Sequence, residues 1–438
     1  MNRYFKIIPL ILVLALFTNC SYTIAKKDKE EPARVELVKN GDSYQLHVNN
    51  APFYIRGAGL EGGSIEMLAK HGGNAMRTWR TDNSFRTGQE ILDEAYKHGI
   101  MVCMGIEIAR ERHGFDYDDT LAVRKQFEYA RGEVLKYKDH PALLAWGIGN
   151  ELNLHYSNPK VWDAVNEIAE MIQATDPNHP VTTMLAGANK EVVAVVLERC
   201  PSLDFLSFQL YADIVNLPRY IDESEYTGAY IVSEWGATGH WEVAKTQWGR
   251  PIEQNSHEKA MAYKSRYENV IASDQDQCIG SFVFLWGQKQ ERTPTWYGIF
   301  LEGGQNTESA DVMQYLWTGE WPENRSPILR QFLLNEKSAY ENIILSPGQQ
   351  CQATALIEDH ENDPLIYHWE ILPEVPVKMQ SDGGDFEQRP QTILKMESEE
   401  GEINFDVPVE EGQYRLFVYA FDGHNNAATA NIPFLIKK

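Results

Sequence analysis

The sequence predicts an α/β fold, a (β/α)8 barrel followed by a small all-β sandwich. Three observations carry this. Eight short apolar runs alternate with segments of helical period within a stretch from roughly residue 45 to residue 335. Each run is followed by a crossover long enough for a helix, which requires parallel strands, and a stretch of about 290 residues suits a closed barrel. From residue 337 the helical period disappears, and short alternating runs with turn clusters replace it. At roughly 150 residues per domain, a chain of 438 residues has room for two or three such units.

The elements follow in order. An amphipathic hairpin is expected over 35–50 (VELVKNGDSYQLHVNN). The strands are expected at 53–60, 74–80, 100–108, 143–150, 181–187, 203–211, 229–236 and 280–287. Most are continuous apolar runs, the pattern of strands buried on both faces. IEMLAKHG and GQEILDEAYKHG end in glycine, a helix stop. LAVRKQFEYARGEVLKY and VWDAVNEIAEMIQA place apolar residues at three- and four-residue steps. The glycine-rich IRGAGLEGG has no acidic residue about twenty positions on, so it reads as a tight turn and not as the phosphate loop of an open doubly wound sheet. In the last hundred residues, EDHENDPLIYHWEIL and YAFDGHNNAATANIPF resemble Ig-like or cadherin-like modules appended to bacterial extracellular enzymes. No row of exposed aromatics is evident there, which favours a spacer. Asp359, Asn362 and Asp363 suit either turn chemistry or calcium. The expected boundaries are 1–19 signal peptide, 20–34 tether, 35–336 barrel with its hairpin, and 337–438 sandwich.

The front segment is an address. Arg3 and Lys6 precede the apolar run from Ile7 to Phe17, too short to span a bilayer. The run ends at Thr18-Asn19-Cys20 and resembles a bacterial lipoprotein signal. That resemblance implies lipidation of Cys20 and anchoring in the cell envelope, at an outer membrane or cell surface; secretion or a periplasmic location is the alternative. Of the other cysteines, Cys103 and Cys278 adjoin apolar runs and read as small core residues. No paired-cysteine or metal spacing occurs, so metal-free and cofactor-free chemistry is expected.

Composition narrows the partner. With 63 acidic and 40 basic residues the net charge is −23, which excludes a nucleic-acid backbone by repulsion and favours a neutral ligand.

Chemistry on a barrel gathers where strands end. LLAWGIGN runs directly into Glu151, and AYIVS runs into Glu234, which Trp235 and Gly236 follow. Two carboxylates at such positions suit glycosidic hydrolysis, which needs one proton donor and one carboxylate facing the anomeric carbon. Asn150-Glu151 after one strand and Glu234 in a Ser-Glu-Trp-Gly setting resemble the retaining glycoside hydrolase clan A. WGIGNEL and the helix after it most resemble the barrel domain of glycoside hydrolase family 2. The resemblance implies Glu151 as acid/base, Glu234 as nucleophile and Asn150 as ligand of the sugar 2-hydroxyl. It further implies that Arg77 steadies the nucleophile, that Tyr211 bonds to it, and that Trp286 forms an aromatic floor. These roles require Glu151 to carry a proton while Glu234 stays ionised.

The segment after Glu234 is long and holds His240, Trp241, Trp248 and Arg250. Trp241 and Trp248 would cover sugar faces or pack the loop's own core. His155, Tyr156, Trp79 and Arg80 are further cleft candidates, and Glu107, Arg110 and His113 suit an ion network as well as sugar contact. The expected function is a retaining β-glycosidase acting on an external neutral polysaccharide or its oligosaccharides, a β-glucan first and possibly β-1,3-linked, with β-galactoside and β-mannoside open. The alternatives are a transglycosylase using the same pair and a non-catalytic glycan-binding lipoprotein.

Overall fold

The computed structural model describes residues 31–380 and 387–438. The expected signal segment and lipidation site at Cys20 lie outside the described residues. Three short strands come first: β1 (Val35–Asn40), β2 (Ser43–Val48) and β3 (Ala51–Phe53). They form an antiparallel meander in the order β1-β2-β3, one strand more than the expected hairpin. Leu46 and Val35 pack against Ile55, Ala75, Leu144 and Ile279 near the starts of barrel strands, so the meander closes the N-terminal end of the barrel.

The barrel strands are β4 (Ile55–Gly59), β5 (Ala75–Arg77), β6 (Met101–Ile106), β7 (Leu143–Asn150), β8 (Val181–Ala186), β9 (Leu206–Gln209), β10 (Tyr230–Gly236) and β11 (Cys278–Phe284). They close in the order β10-β11-β4-β5-β6-β7-β8-β9, with parallel pairing. The helices between and after them are α1 (Ile65–Lys70), α2 (Gly88–Lys97), α3 (Thr120–Tyr137), α4 (Lys160–Thr175), α5 (Lys190–Arg199), α6 (Leu217–Ser224), α7 (Ser256–Arg266) and α8 (Glu308–Thr318). Every residue of β7 and β10 is buried, as continuous apolar runs require. In α4, Val161, Val165, Ile168 and Ile172 recur at helical steps and face the barrel. α2 starts on a Thr87–Glu90 capping box. Gly72 and Gly99, just beyond α1 and α2, take φ of 83° and 70°, the left-handed turn that a glycine allows cheaply. Cys103, Cys200, Cys278 and Cys351 are buried free thiols, and burial pushes the Cys103 and Cys278 thiols up to about 12.

The sandwich pairs a sheet of β12 (Ile328–Leu334), β14 (Gln350–Glu358) and β17 (Glu402–Asp406) with a sheet of β13 (Ile344–Leu345), β19 (Ala427–Ile436), β18 (Gly412–Phe421), β15 (Ile366–Pro373) and β16 (Leu394–Ser398). Trp369, Leu416, Phe405 and Phe434 fill the space between them. β12 pairs antiparallel with β14, so the sandwich begins ahead of the boundary expected at 337. At the Asp359 turn, Oδ1 accepts from the backbone N–H groups of Glu361 (3.0 Å) and Asp363 (2.8 Å), which is turn chemistry. Among the described residues, no helix is long and apolar enough to cross a membrane.

The sandwich is joined to the barrel through buried polar groups. Arg415 donates to the Pro251 carbonyl (2.9 Å), to Glu374 (3.0 Å) and to Asn431 (2.7 Å). Asn431 in turn donates to Glu253 (2.6 Å), which is ion-paired to Lys259. The backbone N–H of Thr429 donates to the Ser256 hydroxyl (3.0 Å).

Candidate active site

Glu234 lies within β10, 6% exposed, and its carboxylate accepts three side-chain hydrogen bonds. Arg77 Nη1 (3.1 Å) and Trp79 Nε1 (2.7 Å) donate to Oε1, and the Tyr211 hydroxyl (3.0 Å) donates to Oε2. Two full charges buried together are tolerable only when paired and hydrogen-bonded, and here Arg77 and Glu234 meet both conditions. Burial, and then the charge of Glu234, hold the Tyr211 phenol well above its ordinary value, so it remains a donor.

The same guanidinium reaches the second strand end. Arg77 Nη2 donates to Asn150 Oδ1 (2.7 Å), and Gln209 Nε2 donates to that oxygen as well (2.8 Å). Arg77 carries donors only, which fixes the Asn150 oxygen towards it and leaves the amide N–H groups for another partner. Glu151 follows at once, just past β7, with φ of 52°. A left-handed glutamate is uncommon, and such strain persists only where neighbours over-determine it. Its N–H donates to the Met184 carbonyl (2.9 Å), Arg112 donates to its carbonyl, and Arg110 Nε donates to the Asn150 carbonyl (3.0 Å). The Glu151 carboxylate lies 3.7 Å from Arg112 Nη2 and is more open than that of Glu234.

Both glutamates line one cavity of about 1350 Å³ at the C-terminal rim of the barrel, together with Asn150, Trp79, Tyr211, His155, Trp241, Arg80, Arg110 and His113. Arg77 sits behind them, buried. Trp241 is 55% exposed, its ring edge-on to Tyr211 at 5.4 Å. Its loop is pinned by Glu242, which accepts from the N–H groups of Gly239 (2.8 Å) and Ala212 (2.9 Å). Glu387 and Asn425 of the sandwich also line the cavity, and Glu387 is ion-paired to Arg292 of the β11–α8 loop. The sandwich therefore does more than act as a spacer: it walls the cleft.

Three expected residues, Trp248, Tyr156 and Glu107, lie off the cavity, and Trp286 borders it while staying buried. Trp286 is 0% exposed, packed edge-on against His71 (5.3 Å) and Phe300 (4.9 Å) and beside Trp317 (5.6 Å). β11 ends at Phe284, and residue 286 lies in the loop that runs from there to α8. Phe284 holds the place expected of Trp286, edge-on to Trp79 (5.8 Å) and Tyr211 (6.0 Å) and lining the cavity. Trp248 does not line the cavity. It sits on the Thr246–Arg250 turn, which faces the sandwich through Gln247 N–H to Asn342 (2.6 Å) and Arg250 to Gln413 (2.5 Å). Tyr156 packs edge-on against Trp162, and Glu107 lies off the cavity. Gln209 and Arg112 were not singled out from sequence. A polar residue inside the apolar strand SFQLY was the available signal for Gln209, whereas nothing local marked Arg112.

Comparison with known proteins agrees with this geometry. No curated protein matches the chain in sequence. Among solved structures, a β-glucuronidase from Bifidobacterium dentium complexed with coumarin-3-O-glucuronide matches with a TM-score of 0.52 and 18% identity, over 66% of this chain and 49% of that one. An FMN-binding β-glucuronidase from Facaelibacterium prausnitzii L2-6 matches with a TM-score of 0.51 and 13% identity, over 92% of this chain and 59% of that one. The chain thus spans about half the length of the first and under two thirds of the second, and these likenesses speak to fold alone. The family model of the glycosyl hydrolases family 2 TIM barrel domain matches residues 64–288, a span that holds both strand-end glutamates and the donors around them. The chain belongs to glycoside hydrolase family 2 through that barrel domain.

Proposed function

We propose that the chain hydrolyses β-glycosides with retention of configuration. A Glu234 oxygen bonds to the anomeric carbon as the glycosidic C–O bond breaks, and Glu151 gives its proton to the leaving oxygen. Water then bonds to the same carbon, returns a proton to Glu151 and releases Glu234. The observation that carries this reading is the donor set on Glu234. Arg77, Trp79 and Tyr211 all donate to one buried carboxylate, pointed into a cavity that Glu151 shares.

The substrate class is a neutral polysaccharide or its oligosaccharides, a β-glucan first and β-1,3-linked by preference. Carboxylates outnumber lysines and arginines in the cavity lining, and the chain as a whole is strongly acidic, both of which favour an uncharged ligand. We place the enzyme at the cell envelope, held by lipid on Cys20.

The test is a panel of β-glucans, β-galactosides, β-mannosides and β-glucuronides, with NMR of the first product formed. The expected first anomer is β. Glu234→Ala and Glu151→Gln should each lower turnover by about three or more orders of magnitude with the fold intact. An α anomer formed first removes retention, and near-normal hydrolysis by either variant removes the assignment.

A further inference from the structure

One aromatic ring in the cleft has no part in holding Glu234 and no place in the core. Phe85 is 66% exposed, yet it lines the cavity. It stands on the loop between β5 and α2, whereas Trp241 stands on the loop between β10 and α7. In the closed barrel β4 and β11 separate the two parent strands, so the rings rise from different arcs of the rim.

The Phe85 loop is rigidly held. Asn83 Oδ1 accepts from the N–H groups of Phe85 (2.9 Å) and Arg86 (2.9 Å). Arg86 donates to the Gly63 carbonyl (3.1 Å) and pairs with Glu94 (3.0 Å). The ring lies over Gly62, where an added Cβ would approach it to 3.0 Å, so bare backbone supports one face and the rest stays open. Beside it the Arg80–Glu61 ion pair (3.3 Å) supplies polar atoms to the same cavity. An apolar ring that remains in water on a hydrogen-bonded loop, in a cavity that also offers charged groups, matches a ligand with an apolar face and a polar rim. A pyranose has both.

We propose that Phe85 is the platform of a second sugar-binding position, which takes a pyranose of a neutral oligosaccharide at least one unit away from the cleaved bond. The proposal rests on the glycosidase reading for its substrate class. The cleft then reads several sugars at once, and Phe85 sets a preference for chains over small glycosides.

The experiment compares wild type, Phe85→Ala and Phe85→Trp on the pentasaccharides of β-1,3-glucan and β-1,4-mannan and on the 4-nitrophenyl glycosides of the same sugars. In Phe85→Ala the ratio of kcat/KM for pentasaccharide over aryl glycoside should fall about tenfold, carried by KM, which corresponds to about 1.4 kcal/mol. Phe85→Trp should restore the ratio. An unchanged ratio, or a loss that tryptophan does not restore, overturns the platform. Calorimetry of the pentasaccharides on Glu234→Ala, with and without Phe85→Ala, separates this from the catalytic reading. If wild type hydrolyses nothing but Phe85→Ala weakens binding about tenfold, the platform stands and the catalytic reading falls. If neither pentasaccharide binds, or binding ignores Phe85, the platform falls.

Discussion

Arg77 is the single group that joins the two halves of the site, and replacing it with lysine tests the proposed arrangement most directly. The guanidinium makes three hydrogen bonds, to the Ser233 carbonyl (2.9 Å), to Glu234 Oε1 (3.1 Å) and to Asn150 Oδ1 (2.7 Å). An ammonium keeps the charge but lacks the planar fork, so it cannot reach Glu234 and Asn150 together. Hydrogen bonds to charged groups contribute about 1.5–3 kcal/mol each, so losing at least one of the two side-chain links costs about 1.5 kcal/mol or more. If that stabilisation is felt in the transition state, kcat/KM falls about tenfold or more. The assay is steady-state hydrolysis of the best substrate from the panel, with thermal unfolding as the control for folding. A double-mutant cycle adds a second reading. Because Arg77 orients the Asn150 amide, Asn150→Ala should cost less in the Arg77→Lys background, with a coupling on the order of 1–2 kcal/mol. A folded Arg77→Lys enzyme with more than half of wild-type kcat/KM, or strictly additive effects, would refute the reasoning.

Three further outcomes are expected. Tyr211→Phe removes the donor to Glu234 Oε2 but little volume, so kcat should fall about tenfold or more with the unfolding midpoint nearly unchanged; steady-state kinetics and calorimetry check both. Burial holds the Asp311 carboxyl up at about 7 against 3.8, so the folded chain binds this proton more tightly than the unfolded chain does. That contribution is complete below about pH 4 and lost as pH rises to about 7. Asp311→Asn should therefore gain on the order of 2–4 kcal/mol over wild type between pH 4 and pH 8, read by chemical denaturation, and parallel pH profiles would contradict it. Arg415→Met strands Glu374 without its buried cation and should cost roughly 3–5 kcal/mol; an unchanged unfolding midpoint would show that the joint does not depend on it.

The barrel was legible because strands buried on both faces must be written as short apolar runs, and LLAWGIGN or AYIVS can hardly be anything else. Glu151 and Glu234 were legible for the same reason, as carboxylates interrupting or ending such runs. Legibility failed where the backbone leaves its period. The aromatic at the end of β11 was misplaced by two residues, from Phe284 to Trp286, because a strand end fixes side-chain direction only up to its last paired residue. Trp241 and Trp248 share a loop and a residue type, yet one faces the cleft and the other the sandwich side, and that choice is made by Glu242 and Gln413, distant in sequence or in role. β12 was missed as a sandwich strand because its partner, β14, follows it by a long connection. Arg112 acts on Glu151 through a contact between two different rim loops, which no local pattern records.

The buried joint also governs traffic. Arg415 and Glu253 keep their counter-ions, Glu374 and Lys259, on their own sides, but the buried hydrogen bonds from Arg415 to the Pro251 carbonyl and from Asn431 to Glu253 cross the joint, so hinging barrel and sandwich apart would break both. The wall formed by Glu387 and Asn425 is accordingly a fixed jamb and not a door. Under the proposed function, access to the glutamates is from the unwalled side of the rim, and that side is where a ligand would enter and leave.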